Sequence, residues 1–117
     1  MLVIEMKTEE IKIFLKDIYC SASQIFRDKL IASILFGSYA RGNYDSESDM
    51  DVALIVSCKR DELKDYQDAL VKEMSRLTMQ YGVLVNFTEI PYDEYKEYRD
   101  ALPFYRNVHQ EGVYLSA

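Results

Sequence analysis

Hydrophobic residues near the start of the chain recur every three or four positions, which predicts an amphipathic helix. The residues of this apolar stripe are Ile11, Phe14, Leu15, Ile18, Ala22, Ile25 and Phe26. Thr8 is suited to cap the helix, and Glu9 and Glu10 are favourable near the positive end of its dipole. We therefore expect a long helix that packs one face against a core.

Three short apolar runs further along the chain predict β-strands, at residues 30–36, 50–56 and 83–90. Branched side chains are frequent in the second run, as is typical of strands. Gly37 follows the first run directly and marks its end.

The remaining apolar residues predict further helices. Residues 61–81 carry a stripe made of Leu63, Tyr66, Leu70, Met74, Leu77 and Tyr81, and Gly82 ends it. Pro91 is expected to open a helix to about residue 100, and Pro103 another to about residue 110, with Gly112 as its stop. Residues 113–115 can add a small edge strand. This order predicts one α/β (α+β) domain over residues 1–117, a small mixed β-sheet with helices packed on it.

Polar residues with chemical potential stand between the first two predicted strands. Gly37 and Ser38 follow the first strand, ten residues intervene, and Asp49 and Asp51 open the second. Because side chains alternate along a strand, the two carboxylates should point the same way while Met50 points into the core. Adjacent carboxylates repel each other unless a cation lies between them. Since all the ligands offered are oxygens, Mg2+ is the expected metal.

The Gly-Ser turn is suited to phosphate groups. Gly37 has no β-carbon, so its backbone can turn tightly and approach a ligand closely. Ser38 would begin a short helical turn whose N–H groups and hydroxyl can bind phosphate oxygens. Arg41 lies three residues further on, and its planar guanidinium suits bidentate phosphate contact.

This motif resembles that of the minimal nucleotidyltransferases, a branch of the DNA polymerase β-like superfamily. The matching residues are Gly37-Ser38, the Ala40-Arg41-Gly42 insert, Ser48 and Asp49-Met50-Asp51. The resemblance implies the polymerase β-like nucleotidyltransferase fold and Mg2+-dependent transfer of a nucleotidyl group, AMP before others, from ATP or another nucleoside triphosphate. It also implies catalytic and metal-binding roles for Asp49 and Asp51.

Members of this superfamily draw a third carboxylate from a neighbouring strand. Alternation along residues 83–90 places Val85 and Phe87 on the core face and Asn86 on the other, so an amide is expected where the third acid normally stands. An amide oxygen can coordinate Mg2+ but is a poor general base. Glu89 is the alternative acid, provided that a bulge turns it round.

The same resemblance implies a protein partner. Small members are commonly paired with a HEPN-domain toxin, act as its antitoxin and can adenylylate one of its tyrosines. Two functions therefore stay open: an enzyme of this kind, or an inactive binding module that neutralises a partner by direct contact. The tyrosine-rich C-terminal region and the acidic charge fit the module as well.

Composition bounds these alternatives. A net charge of −6 argues against general nucleic-acid binding, whereas Mg2+ would let an acidic protein bind a nucleotide. Cys20 and Cys58 have no metal-ligand spacing and are expected to be buried, reduced thiols of a cytoplasmic protein. No apolar run reaches the ~20 residues of a membrane span. Lys7 and the acids after it argue against a signal peptide. An oligomer is possible, since a dimer can share a site.

Overall fold

The computed structural model describes residues 8–116, so part of the stretch that argues against a signal peptide lies outside it. The helices within that range are α1 (Thr8–Phe26), α2 (Ser38–Arg41), α3 (Gln67–Tyr81), α4 (Tyr92–Tyr98) and α5 (Pro103–Glu111). The strands are β1 (Leu30–Phe36), β2 (Met50–Val56), β3 (Val85–Pro91) and β4 (Val113–Tyr114). Short 3-10 turns occupy Arg27–Lys29 and Arg60–Tyr66.

Most predicted elements are present, but several boundaries differ. The predicted helix over residues 61–81 begins as a 3-10 turn, and α3 proper starts only at Gln67. The side chain of Glu62 accepts a hydrogen bond from the Lys59 N–H at 3.0 Å, which fixes this tighter turn. β3 begins two residues later than predicted, because Gly82 ends α3 with a positive φ of 72° and the next two residues form the connection.

Pro91 closes β3 instead of opening α4. Its backbone is extended, with φ −58° and ψ 134°, so the helix begins at the following residue. Pro103, by contrast, occupies the first turn of α5 as predicted, where its missing N–H leaves no helical bond unmade.

The four strands form one mixed sheet in the order β3-β2-β1-β4. β1 runs antiparallel to both β2 and β4, whereas β2 and β3 are parallel. Phe36 lies opposite Asp51 across β1 and β2, and Asp51 lies beside Asn86 across β2 and β3. A row of three residues therefore crosses the sheet at the end where β1 finishes and β2 and β3 begin.

Each face of the sheet has its own hydrophobic cluster. The larger cluster joins α1 and α3 to alternate residues of β2, among them Met50 and Val52, as the alternation predicts. The smaller cluster lies on the opposite face, where Ala53 and Ile55 of β2 meet Tyr95 of α4 and Val108 of α5. Asp51 shares its parity with Ala53 and Ile55, so it belongs to the face with the smaller cluster.

Arg76 of α3 joins the two helices of the larger face. Its guanidinium donates to Asp17 of α1 at 2.9 Å, to Ser21 at 3.0 Å and to Glu73 at 3.1 Å. Hydrogen bonding to Arg76 lowers the pKa of the Asp17 carboxyl, and hydrogen bonding to Ser21, with Arg76, lowers the pKa of the Glu73 carboxyl. The network therefore stabilises the packing of α1 against α3 while its acids are ionised.

The cysteine expectation is half right. Cys58 is buried, but Cys20 lies on the solvent face of α1, so the prediction of burial was wrong for it. The helical stripe that contacts the core passes through Ile18 and Ala22 instead. Both thiols are free. No helix within residues 8–116 combines the length and apolarity that crossing a membrane requires.

Candidate active site

Gly37 brings the end of β1 against the carboxylate of Asp51. Its backbone has φ 78° and ψ −158°, a conformation that other residues rarely adopt. A β-carbon at position 37 would lie only 2.8 Å from Asp51 Oδ2. Only glycine therefore allows this turn and this close approach at once.

Asn86 joins the two aspartates. Its amide Nδ2 donates to Asp49 Oδ2 at 3.3 Å and to Asp51 Oδ1 at 3.4 Å. Because one amide reaches both carboxylates, the two acids converge on a common point. Asn86 lies on the face opposite to Val85 and Phe87, where the alternation along β3 predicted it.

The environment of Asp51 favours a positive charge nearby. Burial raises the pKa of the Asp51 carboxyl above its ordinary value of 3.8, the hydrogen bond from Asn86 acts to lower it, and repulsion from Asp49 raises it further. An ionised pair in this position is therefore held together at a cost in free energy that a bound cation would remove.

The donor set fits Mg2+. The described residues bring together no group of three or more His, Cys, Asp or Glu side chains that could enclose a metal by themselves. Mg2+ does not need such a cage, since it commonly binds through one or two carboxylates, substrate phosphates and water. Asp49 and Asp51 would supply the carboxylates. Asn86 turns its Nδ2 towards them, so its amide oxygen would become a neutral third ligand only after the amide rotates.

Glu89 lies away from this cluster. The pairing of β2 with β3 runs without a bulge from Met50/Val85 to Val56/Pro91, so Glu89 keeps the parity of Phe87. Its carboxylate accepts a hydrogen bond from Gln67 Nε2 of α3 at 2.8 Å. The bulge that would have brought Glu89 to the aspartates is absent from the strand.

Ser38 and Arg41 form the short helix α2 beside the Gly37 turn. Ser38 is half-buried at its first position, and Gly42 ends the helix with a φ of 81°. The Arg41 guanidinium forms an ion pair with Glu111 of α5 at 3.6 Å, and both side chains remain nearly half exposed. The structure thus gathers Gly37, Asp49, Asp51 and Asn86, while Arg41 leans towards α5.

The loop between α2 and β2 is ordered by its own polar residues. The Asp45 carboxylate accepts hydrogen bonds from the Glu47 N–H at 2.9 Å and from the Ser48 hydroxyl at 3.2 Å. The ring of Tyr44 in this loop stacks on the ring of Tyr39 in α2, with the ring centroids 4.3 Å apart. Asp45 therefore shapes the approach to the aspartates by holding the loop.

An apolar surface beside Asn86 was not predicted from the sequence. Leu84 lies just before β3, two residues from Asn86, and is half exposed. The sequence signal that could have found it is Leu84 itself. This large apolar residue shares the polar face of the predicted strand with Asn86, where alternation does not call for a hydrophobic side chain.

Such a turn beside paired aspartates, on a mixed sheet covered by helices, is the arrangement that the resemblance to nucleotidyltransferases predicts. The chain belongs to the nucleotidyltransferase domain family, whose model matches residues 15–114. The chain is thus a nucleotidyltransferase, and the expected family and fold class are confirmed.

Two similar proteins come from Methanocaldococcus jannaschii, and both are named "putative protein adenylyltransferase". One is 47% identical over 78 residues, which cover 67% of this chain and 73% of the relative. The other is 33% identical over 90 residues, which cover 77% of this chain and 82% of the relative.

Solved structures share the fold. A toxin–antitoxin structure with AMP-PNP matches with a TM-score of 0.53 and 20% identity, covering 84% of this chain and 72% of that one. A mutant of the MntA–HpeT toxin–antitoxin, with two aspartates two positions apart changed to glutamate, matches with a TM-score of 0.54 and 16% identity, covering 86% and 71%. At these identities the likeness concerns the fold alone.

Proposed function

We propose that this chain is a Mg2+-dependent adenylyltransferase that transfers AMP from ATP to a hydroxyl group of a protein, in the cytoplasm where ATP is available. The observation that carries the proposal is the convergence of Asp49 and Asp51 on the Asn86 amide, directly beside the Gly37 turn. Two relatives named for protein adenylyl transfer support the choice of nucleotide and of acceptor class.

Each site residue has a role in this proposal. Gly37 allows the backbone to approach the phosphates, and Ser38 offers its hydroxyl and the N–H groups at the start of α2, which have no intrahelical partner. Arg41 binds a phosphate oxygen after leaving Glu111. Asp49 and Asp51 would hold Mg2+, and the Asn86 amide, which now donates to both carboxylates, would turn its oxygen towards the metal. The metal, when bound, neutralises negative charge that develops on the triphosphate.

The reaction balances without another reactant. An acceptor hydroxyl oxygen forms a bond to the α-phosphorus of ATP while the bond from that phosphorus to the pyrophosphate oxygen breaks. Pyrophosphate leaves and the hydroxyl proton passes to water. Asn86 cannot take that proton, so we expect a slow transferase compared with one that carries a third carboxylate.

A tyrosine of a HEPN-domain toxin is the proposed acceptor, and the chain would act as its antitoxin. The toxin–antitoxin structures that share the fold support this choice of partner.

Labelled ATP tests the proposal. The chain is incubated with Mg2+, ATP labelled at the α-phosphate and a purified HEPN-domain partner, and label on the partner is measured. Asp49→Ala should abolish labelling, whereas Asp28→Asn, an exposed change before β1 and far from the site, should not. Labelling that persists in Asp49→Ala, or that needs no divalent cation, would contradict the proposal.

A binding module is the second candidate, and Asn86 favours it. The Asn86 amide already donates hydrogen bonds to both carboxylates. It can therefore hold the two acids together without a metal, which an inactive module would need. A tight complex with the partner, without label and unaffected by Asp49→Ala, would support this alternative over the enzyme.

A further inference from the structure

An apolar groove of about 410 Å³ opens beside Asn86, between α3 and the start of β3. Val71, Thr78 and Met79 of α3 line one side, and Leu84 and Asn86 line the other. None of the residues that line it is charged. The aspartate site and the groove therefore meet at one residue, Asn86, whose amide donates to the aspartates while the residue also lines the groove.

The groove displays side chains that a protein normally buries. Met79 is 86% exposed, Val71 55% and Leu84 51%. Single exposed apolar residues are ordinary, but three that line one groove next to a reactive site form a patch suited to binding.

The outer edge of β3 is already occupied where it faces α3. The Val85 N–H donates to Thr78 Oγ1 at 3.0 Å, and the Phe87 N–H contacts Met74 Sδ at 3.4 Å. A partner strand would have to break these bonds to add to the sheet. The groove thus offers side-chain contacts and not strand pairing.

The order of elements across the sheet indicates which part of the reaction takes place next to the groove. The Gly37 turn lies at the end of β1, Asp51 follows on β2, Asn86 on β3, and the groove beyond. In phosphoryl transfer the attacking and leaving oxygens lie roughly in line with the phosphorus. If pyrophosphate leaves on the Gly37 side, the attacking hydroxyl must arrive from the opposite side, which is the side of the groove.

We propose that the groove binds the protein segment that carries the acceptor tyrosine, through apolar residues flanking that tyrosine. This inference rests on the proposed function. The uncharged lining selects an uncharged segment, and Met79 and Leu84 contact its flanking side chains while the tyrosine hydroxyl reaches past Asn86. Its oxygen then bonds to the α-phosphorus, pyrophosphate departs and the proton goes to water.

Two short synthetic peptides test the inference. Each has one tyrosine, flanked by Leu and Val in one peptide and by Ser and Asn in the other. Binding is measured by fluorescence anisotropy with Mg2+ and AMP-PNP present, and transfer by label from ATP. Wild type should bind the apolar peptide about tenfold tighter, which corresponds to about 1.4 kcal/mol. Met79→Glu should remove this preference, whereas Met79→Leu and the exposed control Ile13→Glu should keep it.

The outcomes separate the two proposals. Preference lost in Met79→Glu without any transfer supports the groove and counts against the transferase. Transfer to both peptides without preference overturns the groove and leaves the transferase standing. Two further results also overturn the groove as an acceptor site. Weaker AMP-PNP binding by Met79→Glu would place the adenine base in the groove. A dimer that Met79→Glu dissociates, without a change in peptide binding, would make the groove a contact between two copies of the chain.

Discussion

The α-carbon of Gly37 lies against the Asp51 carboxylate, so that a β-carbon there would be 2.8 Å from Asp51 Oδ2. Gly37→Ala should therefore do two things: strain a backbone with φ 78°, at about 1–2 kcal/mol, and displace the carboxylate. We expect Mg2+-dependent ATP affinity to fall about tenfold or more, measured by calorimetry.

Gly42→Ala is the matched control for Gly37→Ala. Gly42 also has a positive φ, 81°, but a β-carbon there would meet nothing within 4 Å. It should lose stability similarly while keeping its affinity for ATP. Equal loss of affinity in both variants would show that the contact between Gly37 and Asp51 has no part in binding.

Asn86→Asp should lower the stability of the metal-free protein and make its stability depend on Mg2+. Three carboxylates would then converge, so the metal-free variant should unfold more easily, by about 1–2 kcal/mol, and Mg2+ should restore it. The transferase rate should rise, because a third acid strengthens metal binding and can accept a proton. Melting curves in chelator and in Mg2+, with initial rates of label transfer, measure both effects.

The control for Asn86→Asp is Asn107→Asp, the same chemical change at an exposed position of α5. It should alter neither metal dependence nor rate. An unchanged or lower rate in Asn86→Asp would argue against Asn86 as the residue in the position of the third acid.

Arg41→Ala separates a phosphate ligand from a surface ion pair. The pair with Glu111 at 3.6 Å is exposed, so its loss should change the free energy of unfolding by less than about 0.5 kcal/mol. ATP affinity should nevertheless fall about tenfold, since a charged hydrogen bond to phosphate is lost. Glu111→Gln should keep or raise that affinity, and Arg106→Ala on α5 should have no effect. If Arg41→Ala leaves the ATP affinity unchanged, Arg41 does not bind phosphate, and its ion pair with Glu111 of α5 is its remaining role.

The network around Arg76 predicts a pH dependence of stability. The pKa values of Asp17 and Glu73 are lowered from 3.8 and 4.5, so as pH falls below these ordinary values the unfolded state takes up protons first. The stabilisation is complete at neutral pH and disappears as pH drops through the lowered values.

Arg76→Met should therefore cost about 1 kcal/mol at neutral pH, a figure reduced by the partial exposure of the arginine, and progressively less in acid. Urea unfolding between pH 7 and pH 3 measures the difference. Lys12→Met, which removes an exposed pair with Glu9, should leave the profile unchanged. A constant difference between wild type and Arg76→Met would show that the acids do not depend on Arg76.

The sequence predicted β1 and β2 to the residue, because each is a short apolar run and Gly37 ends the first. Alternation also placed Asn86 on the face opposite to Val85 and Phe87, and the family resemblance implied that this face carries the aspartates. The start of α3 could not be predicted, because the spacing of apolar residues hardly distinguishes a 3-10 turn from an α-helix over one or two turns.

Long-range packing accounts for the rest. Arg41 meets Glu111, seventy residues away in sequence, and no local pattern encodes that contact. The groove lies between Met79 of α3 and Leu84 before β3, which only the assembled layers bring together.

Because the hydrophobic clusters on the two faces of the sheet differ in size, we expect the helices on one face to separate from the sheet more easily than those on the other. The reactive residues share their face with the smaller cluster, so α4 and α5 should separate from the sheet at less free energy than α1 and α3. Backbone amides of α5 should then exchange with deuterium sooner than those of α3. We therefore expect α4 and α5 to open transiently while α1 and α3 stay packed, which would give a large reactant room to enter and leave.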